Sequence, residues 1–291
     1  MSLNLQSTIT LNDGTQLPRF GLGVYEMTED EAYQSTKWAL EAGYRLIDTA
    51  DWYDNEAACG RALRDFCAES GVPRSEIYYT TKLKHNLGAK SAYASIRRSL
   101  AASGLDYIDL YLIHGPPGGP ARRRESWAEL VRAQKDGLLR SIGVSNFGVR
   151  HLEEMRVGWE QGGVVGDDEW VGVKPSVNQV DLHPFMTRDD ITSYCMKHDI
   201  TLEAWAPLVR TMRFNHPVVQ RLATKHAKQP AQVLLRYSLQ RGYVAIPKSV
   251  SRERIVSNAD VFGFELSEVE MQELHALNED LVTDWEVTTC P

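Results

Sequence analysis

The chain has 291 residues, of which 43% are hydrophobic and 24% charged, with a formal net charge of −7. That composition excludes collagen-like, coiled-coil and disordered chains, and the length suits one α/β barrel of about 250 residues plus additions. An acidic surface repels phosphate backbones and anionic lipid heads, so nucleic acid and membranes are not expected partners.

Four cysteines, Cys59, Cys67, Cys195 and Cys290, form no C-x-x-C pair, which fits a reducing compartment better than a disulfide framework. Met1 to Thr10 carries neither a basic start nor a long apolar stretch, so a cytoplasmic location is expected. His183, His198 and His226 have no zinc-site spacing, and no metal is expected.

Taken along the chain, Ile9 to Leu17 reads as a hairpin turning at Asn12-Asp13-Gly14. An apolar run from Phe20 to Val24 follows. Thr28 and Glu31 then form a capping box, opening a helix that Gly43 closes. Strands are predicted at Arg45 to Asp48, Ile77 to Lys82, Ile108 to His114, Leu139 to Val144, Ser176 to Val180, Thr201 to Trp205 and Tyr243 to Ile246. Helices are predicted at Glu56 to Ala68, Lys90 to Ala102, Glu125 to Lys135, Val149 to Met155, Arg188 to Lys197, Pro230 to Gln240 and Arg252 to Ala259. A last one, capped by Ser267 with Glu270, ends near Leu277.

Strands alternating with helices imply parallel pairing through right-handed crossovers. Eight such units favour a closed (β/α)8 TIM barrel over residues 1–291, read as one domain. The hairpin would plug its bottom, and one helix is extra at the C-terminal end. A doubly wound open sheet is the alternative, but Gly21-Leu22-Gly23 lacks the third glycine of a dinucleotide fingerprint. Two irregular stretches, Gly115 to Ala121 and Gly158 to Pro175, are long for loops without a role. Arg122-Arg123-Arg124 reads as the solvated start of a helix.

Several predicted strands end in residues that a core would not choose. Asp48, Lys82 and His114 end three of them, Ser145 and Asn146 follow another, Gln179 sits near the end of a fifth, and Lys248 and Ser249 follow the last. In a barrel these ends share one face. Asp48 and Lys82 would form an ion pair there. The ammonium would lower the pKa of nearby Tyr53 from about 10, making the phenol a usable general acid. His114 would orient a carbonyl. With no metal set and no nucleophile elbow, the group suits protonation of an oxyanion made by hydride attack. Lys82 as a Schiff-base lysine is a second reading, and a non-enzymatic nucleotide-binding subunit on the same fold is a third.

Six segments, in order, resemble the aldo-keto reductases. They are Asp48-Thr49-Ala50-Asp51-Trp52-Tyr53-Asp54-Asn55-Glu56, Thr80-Thr81-Lys82-Leu83, Leu112-Ile113-His114, Ser141-Ile142-Gly143-Val144-Ser145-Asn146-Phe147, Asn178-Gln179-Val180-Asp181-Leu182-His183-Pro184 and Ile246-Pro247-Lys248-Ser249-Val250. The resemblance implies reduction of a small aldehyde or ketone, with Asp48, Tyr53, Lys82 and His114 as the catalytic set. It implies NADPH across the barrel mouth, with Val24, Asp48 and Val250 on the cofactor surface. Ser145, Asn146 and Gln179 would hold the nicotinamide amide, Trp205 would stack on the ring, and Leu208 would cover the pyrophosphate. Lys248, Ser249 and Arg254 would grip the 2′-phosphate, with Asn258 near the adenine. Two cations and a hydroxyl after the eighth strand also suit a phosphate on general grounds.

Tyr25, Trp52, His114 and Gly115 would line the substrate pocket. Members of the family often have Trp where Gly115 stands, so one wall should be open. The short polar tail after Leu277 points the same way, to a permissive site. Trp205 stands where Tyr is commoner. A monomer or weak dimer is expected.

Overall fold

The computed structural model describes residues 3–160 and 172–291. A two-stranded antiparallel hairpin comes first, β1 (Thr8–Thr10) and β2 (Gln16–Pro18). Eight parallel strands follow: β3 (Leu22–Gly23), β4 (Leu46–Asp48), β5 (Tyr78–Leu83), β6 (Ile108–Ile113), β7 (Leu139–Ser145), β8 (Val177–Asp181), β9 (Thr201–Trp205) and β10 (Val244–Ala245). They are hydrogen-bonded in chain order. Parallel bridges Phe20↔Ala245 and Gly23↔Lys248 join the first to the last and close the sheet into a barrel.

The helices are α1 (Glu29–Glu41), α2 (Glu56–Ser70), α3 (Ala89–Ser103), α4 (Pro120–Lys135), α5 (Val149–Glu160), α6 (Asp189–Lys197), α7 (Pro217–His226), α8 (Pro230–Gln240), α9 (Arg252–Ala259) and α10 (Glu268–His275). The capping boxes at Thr28/Glu31 and Ser267/Glu270 form as expected. The fold is thus the expected barrel.

The two early glycines serve closure rather than a phosphate. A Cβ on Gly21 would strike the Leu46 side chain at 2.5 Å, and one on Gly23 would meet the Ile246 carbonyl at 3.0 Å. Only glycine lets this segment lie so close to its neighbours on both sides.

Leu11 and Leu17 of the hairpin pack with Leu46, Tyr78, Val177 and Val244, residues at the starts of barrel strands. Asn12 Nδ2 donates to the carbonyls of Pro175 and Asp199 at 2.9 and 2.8 Å. The hairpin therefore seals the bottom, and the strands' carboxyl ends are left for the site.

Three elements differ from the sequence expectation. α4 begins at Pro120, five residues before Glu125, because proline suits the first helical position. α5 runs on to Glu160, and most of the Gly158 to Pro175 stretch lies outside the described residues. α7 was not expected, yet Val219, Leu222 and Ala223 bury one face against α8 and α10. Its signal was present: proline at the start, then apolar residues three and four apart.

Candidate active site

The strand ends open into a cavity of about 580 Å³. Asp48, Tyr53, His114, Ser145, Asn146, Gln179, Trp205, Leu208 and Lys248 line it, together with Tyr25 and Trp52. Lys82 lies beneath, wholly buried. Of the other anticipated residues, Val24, Ser249, Val250, Arg254, Asn258 and Gly115 are not part of this lining.

Tyr53 closes a 3-10 turn, Asp51–Tyr53, that ends at Asp54 in a left-handed conformation with φ 53°. Asn55 braces this turn. It accepts from Thr49 Oγ1 at 2.6 Å and donates to the carbonyls of Val24 and Met27, both at 3.1 Å. Nothing in the sequence marked Asn55 for this.

Lys82 Nζ donates to Asp48 Oδ1 at 2.6 Å and to the Thr49 carbonyl at 2.8 Å, and lies 3.4 Å from the Tyr53 hydroxyl. Asp48 Oδ2 accepts from Gln179 Nε2 at 2.8 Å. A sealed ion pair survives desolvation only when its remaining lone pairs and protons are also satisfied, and here they are.

The expected lowering of the Tyr53 pKa is corrected. Burial pushes the phenol well above its ordinary value, and Asp48, Asp284 and Glu203 push the same way. The low-dielectric site and three carboxyl groups outweigh the one ammonium, so Tyr53 is held protonated. His114 moves in the opposite direction. Burial first, then Lys82 and His85, press it well below the usual histidine range. Its ring is therefore neutral, and its Nδ1 is sealed from solvent with no partner among the described residues. A neutral imidazole on the cavity wall, its ring centroid 5.6 Å from that of the protonated phenol, suits a carbonyl oxygen as visitor.

The model of the Aldo/keto reductase family matches residues 17–279. The chain belongs to this family. It is 43% identical to the glyoxal reductase of Bacillus subtilis over 282 residues, covering 96% of each chain. An aldo/keto reductase from Brucella melitensis superposes with a TM-score of 0.85 at 38% identity, covering 94% of this chain and 99% of that one. A Bombyx mori aldo-keto reductase solved in complex with NADP superposes with a TM-score of 0.87 at 32% identity, covering 97% and 96%. The protein is thus an oxidoreductase of the aldo-keto reductase type.

In this family member the pocket wall is built differently from the sequence expectation. The space beside Gly115 is filled. A Cβ there would come within 2.7 Å of Trp285 Cη2 and 3.0 Å of its Cζ3. The Trp285 ring centroid lies 5.5 Å from that of Trp52 and 6.0 Å from that of His114. An indole from the tail stands where an open wall was expected.

The tail is held at several points. Thr283 donates to Asp181 Oδ2 from its backbone at 3.1 Å and from its hydroxyl at 2.9 Å. Arg188 pairs with Glu286 at 2.6 Å, and His151 Nε2 lies 2.7 Å from the Cys290 carbonyl. Arg123, expected to be solvated, is buried and donates to the carbonyls of Pro116 and Pro291 at 2.8 and 3.2 Å. The expectation of a permissive site is therefore corrected. Arg210 also spans the cavity rim, 2.8 Å from Glu26 and 3.5 Å from Asp284.

The anticipated cofactor residues divide by what they already bond. Ser145 Oγ donates to the Gln179 carbonyl at 2.8 Å. Asn146 donates to the His114 carbonyl at 3.0 Å and accepts from Trp205 Nε1 at 2.9 Å, which fixes the indole over the cavity. Past β10 the Ser249 hydroxyl accepts from the Ser251 backbone at 3.2 Å, and the charged groups are unpaired among the described residues. Lys248 is exposed with no ion-pair partner among the described residues. Arg254 reaches only Ser249 Oγ, at 3.4 Å, at the start of α9. The Asn258 side chain, although buried, has no hydrogen-bond partner among the described residues. Two unpaired cations, a hydroxyl and a helix N-terminus fit a phosphate monoester.

Among the described residues, no helix is long and apolar enough to cross a membrane.

Proposed function

We propose that this chain is an NADPH-dependent reductase of aldehydes or ketones, with Tyr53 as proton donor. One observation carries the reading: a phenol held protonated 3.4 Å from a buried ammonium, sharing a cavity with a neutral imidazole. Bound NADPH supplies the hydride. Lys248, Ser249 and Arg254 would hold its 2′-phosphate and Asn258 its adenine. Leu208 would cover the pyrophosphate, and Val24, Asp48 and Val250 would complete the cofactor surface. Ser145, Asn146 and Gln179 would hold the nicotinamide amide, under Trp205.

His114 donates a hydrogen bond to the substrate carbonyl and directs its oxygen at Tyr53. As the carbon is reduced, the oxygen becomes an alkoxide, a far stronger base than a phenolate, so a phenol with a raised pKa still gives up its proton. The Lys82 ammonium stabilises the phenolate left behind, and Asp48 keeps that ammonium in place. Trp52, Trp285 and Tyr25 shape the space for the rest of the substrate, with Gly115 as the floor on which Trp285 rests.

A Schiff-base role for Lys82 is disfavoured, because an ammonium pinned by a carboxylate at 2.6 Å is not a free nucleophile. The test is NADPH absorbance followed against a panel of uncharged aldehydes and ketones. Turnover on at least one is expected. Tight cofactor binding with no turnover on any would favour the non-enzymatic nucleotide-binding subunit instead.

A further inference from the structure

Glu203 is a wholly buried carboxyl in the middle of β9 that the proposed chemistry does not use. It is the register partner of Gln179 on β8. Gln179 Nε2 carries two hydrogens and donates to both Asp48 Oδ2 and Glu203 Oε1. Asp48, ionised against Lys82, can only accept, so the amide nitrogen is held toward it, and Glu203 Oε1 takes the second hydrogen. The amide carbonyl oxygen is then turned away from both acids.

The charges in this sealed cluster do not balance if every group ionises. Two carboxyls, Asp48 and Glu203, share one ammonium, Lys82, which sits on Asp48. Glu203 Oε2 has no hydrogen-bond partner among the described residues. The other titratable groups facing it are Tyr53 and Tyr78, both held protonated by burial. A second carboxylate with no cation of its own retains its proton.

We infer that Glu203 is a positioning residue for the nicotinamide: it fixes the acceptor that Gln179 presents, and its proton sets the charge of the site. This rests on the proposed role of Gln179 in holding the nicotinamide amide. Burial and the Asp48 charge raise the Glu203 pKa to about 8, so its ionisation falls within the working range. Protonated Glu203 leaves the cluster neutral, which suits the neutral reduced ring. Ionised Glu203 adds a negative charge, which favours the positively charged oxidised ring.

The sign follows from linkage. Bound NADP⁺ lowers the Glu203 pKa, so NADP⁺ affinity rises with pH until the free-protein pKa is passed. The ratio Kd(NADPH)/Kd(NADP⁺) should therefore increase between pH 7 and 9, by roughly five-fold or more. The 2′-phosphate titrates near pH 6 in both cofactors and cancels in the ratio.

The experiment measures both dissociation constants by protein-fluorescence quenching from pH 6.5 to 9 for the wild type, Glu203→Gln, Glu203→Leu and Gln179→Ala, with melting curves as a check on folding. The wild-type ratio should rise and the Glu203→Gln ratio stay flat. Glu203→Gln should also restore most of the NADPH affinity lost in Glu203→Leu, because an amide oxygen still accepts from Gln179. If Glu203→Gln follows the wild-type pH profile, another group titrates and the charge role is overturned. If Glu203→Leu binds NADPH as tightly as Glu203→Gln at pH 7, the positioning role is overturned. Should Glu203→Leu fail to fold, the Glu203→Gln profile still decides. Wild-type NADPH affinity in Gln179→Ala would instead overturn the underlying reading of Gln179.

Discussion

Replacing Lys82 with methionine should separate what the ion pair does for folding from what it does for chemistry. Met has nearly the stem of Lys, so the packing loss is small. The electrostatic loss is not. Asp48 is sealed from solvent, and without the ammonium at 2.6 Å it keeps only the Gln179 amide at 2.8 Å. Leaving one member of a buried pair uncompensated costs about 3–5 kcal/mol, a large share of the ~5–15 kcal/mol available to a folded domain. At about 2–4 °C per kcal/mol for a chain of this size, Tm should fall by roughly 10 °C.

The loss should depend on pH in a stated direction. Burial, which outweighs Lys82 and Gln179, already holds the Asp48 pKa above its ordinary value, and removing Lys82 raises it further. A carboxyl whose folded pKa is raised destabilises progressively as pH climbs from its unfolded pKa, near 3.9, toward the folded one. The deficit of Lys82→Met should therefore be larger at pH 8 than at pH 5. Adding Asp48→Asn should recover most of the stability, with turnover still lost. Urea titrations of the wild type, the single variant and the double variant at both pH values make the measurement. A single variant within ~1 kcal/mol of wild type, or a double variant no more stable than the single, would refute the buried-pair argument.

Two further outcomes are expected. Gly115→Ala places a methyl 2.7 Å from Trp285 and must displace the indole, so KM should change for bulky aldehydes while Trp285→Ala broadens the substrate range. Unchanged selectivity in both would remove Trp285 from the pocket. Lys248→Ala and Arg254→Ala should each weaken NADPH by about 1–3 kcal/mol and NADH far less, as titrations with the two cofactors would reveal. Equal weakening would contradict the 2′-phosphate assignment.

The barrel was legible because its signals are local. Alternating apolar runs, capping boxes and closing glycines placed most elements within a few residues, and polar strand ends such as Asp48 and Lys82 indicated the rim. What stayed hidden depended on distant pairing. Trp285 reaches the cavity because Asp181, more than a hundred residues earlier, holds Thr283, and no local pattern encodes that. Arg123 looked like surface charge until Glu154 and the carbonyls of Pro116 and Pro291 closed around it. The sign of the Tyr53 shift was misjudged for a related reason. The neighbouring ammonium was visible in the sequence, whereas the depth of burial and the converging charges of Asp284 and Glu203 are properties of the assembled fold. Glu203 did leave a trace, as a carboxyl between Leu202 and Ala204 in an apolar strand.

The central claim is that the Tyr53 hydroxyl delivers the proton. Tyr53→Phe removes that one oxygen and keeps the ring against which Tyr25 and His114 pack. Single-turnover reduction and NADPH affinity should be measured on the same preparation. The expected result is reduction slowed at least about a hundred-fold, with NADPH bound nearly as tightly as by wild type. Reduction at the wild-type rate by Tyr53→Phe would contradict the account.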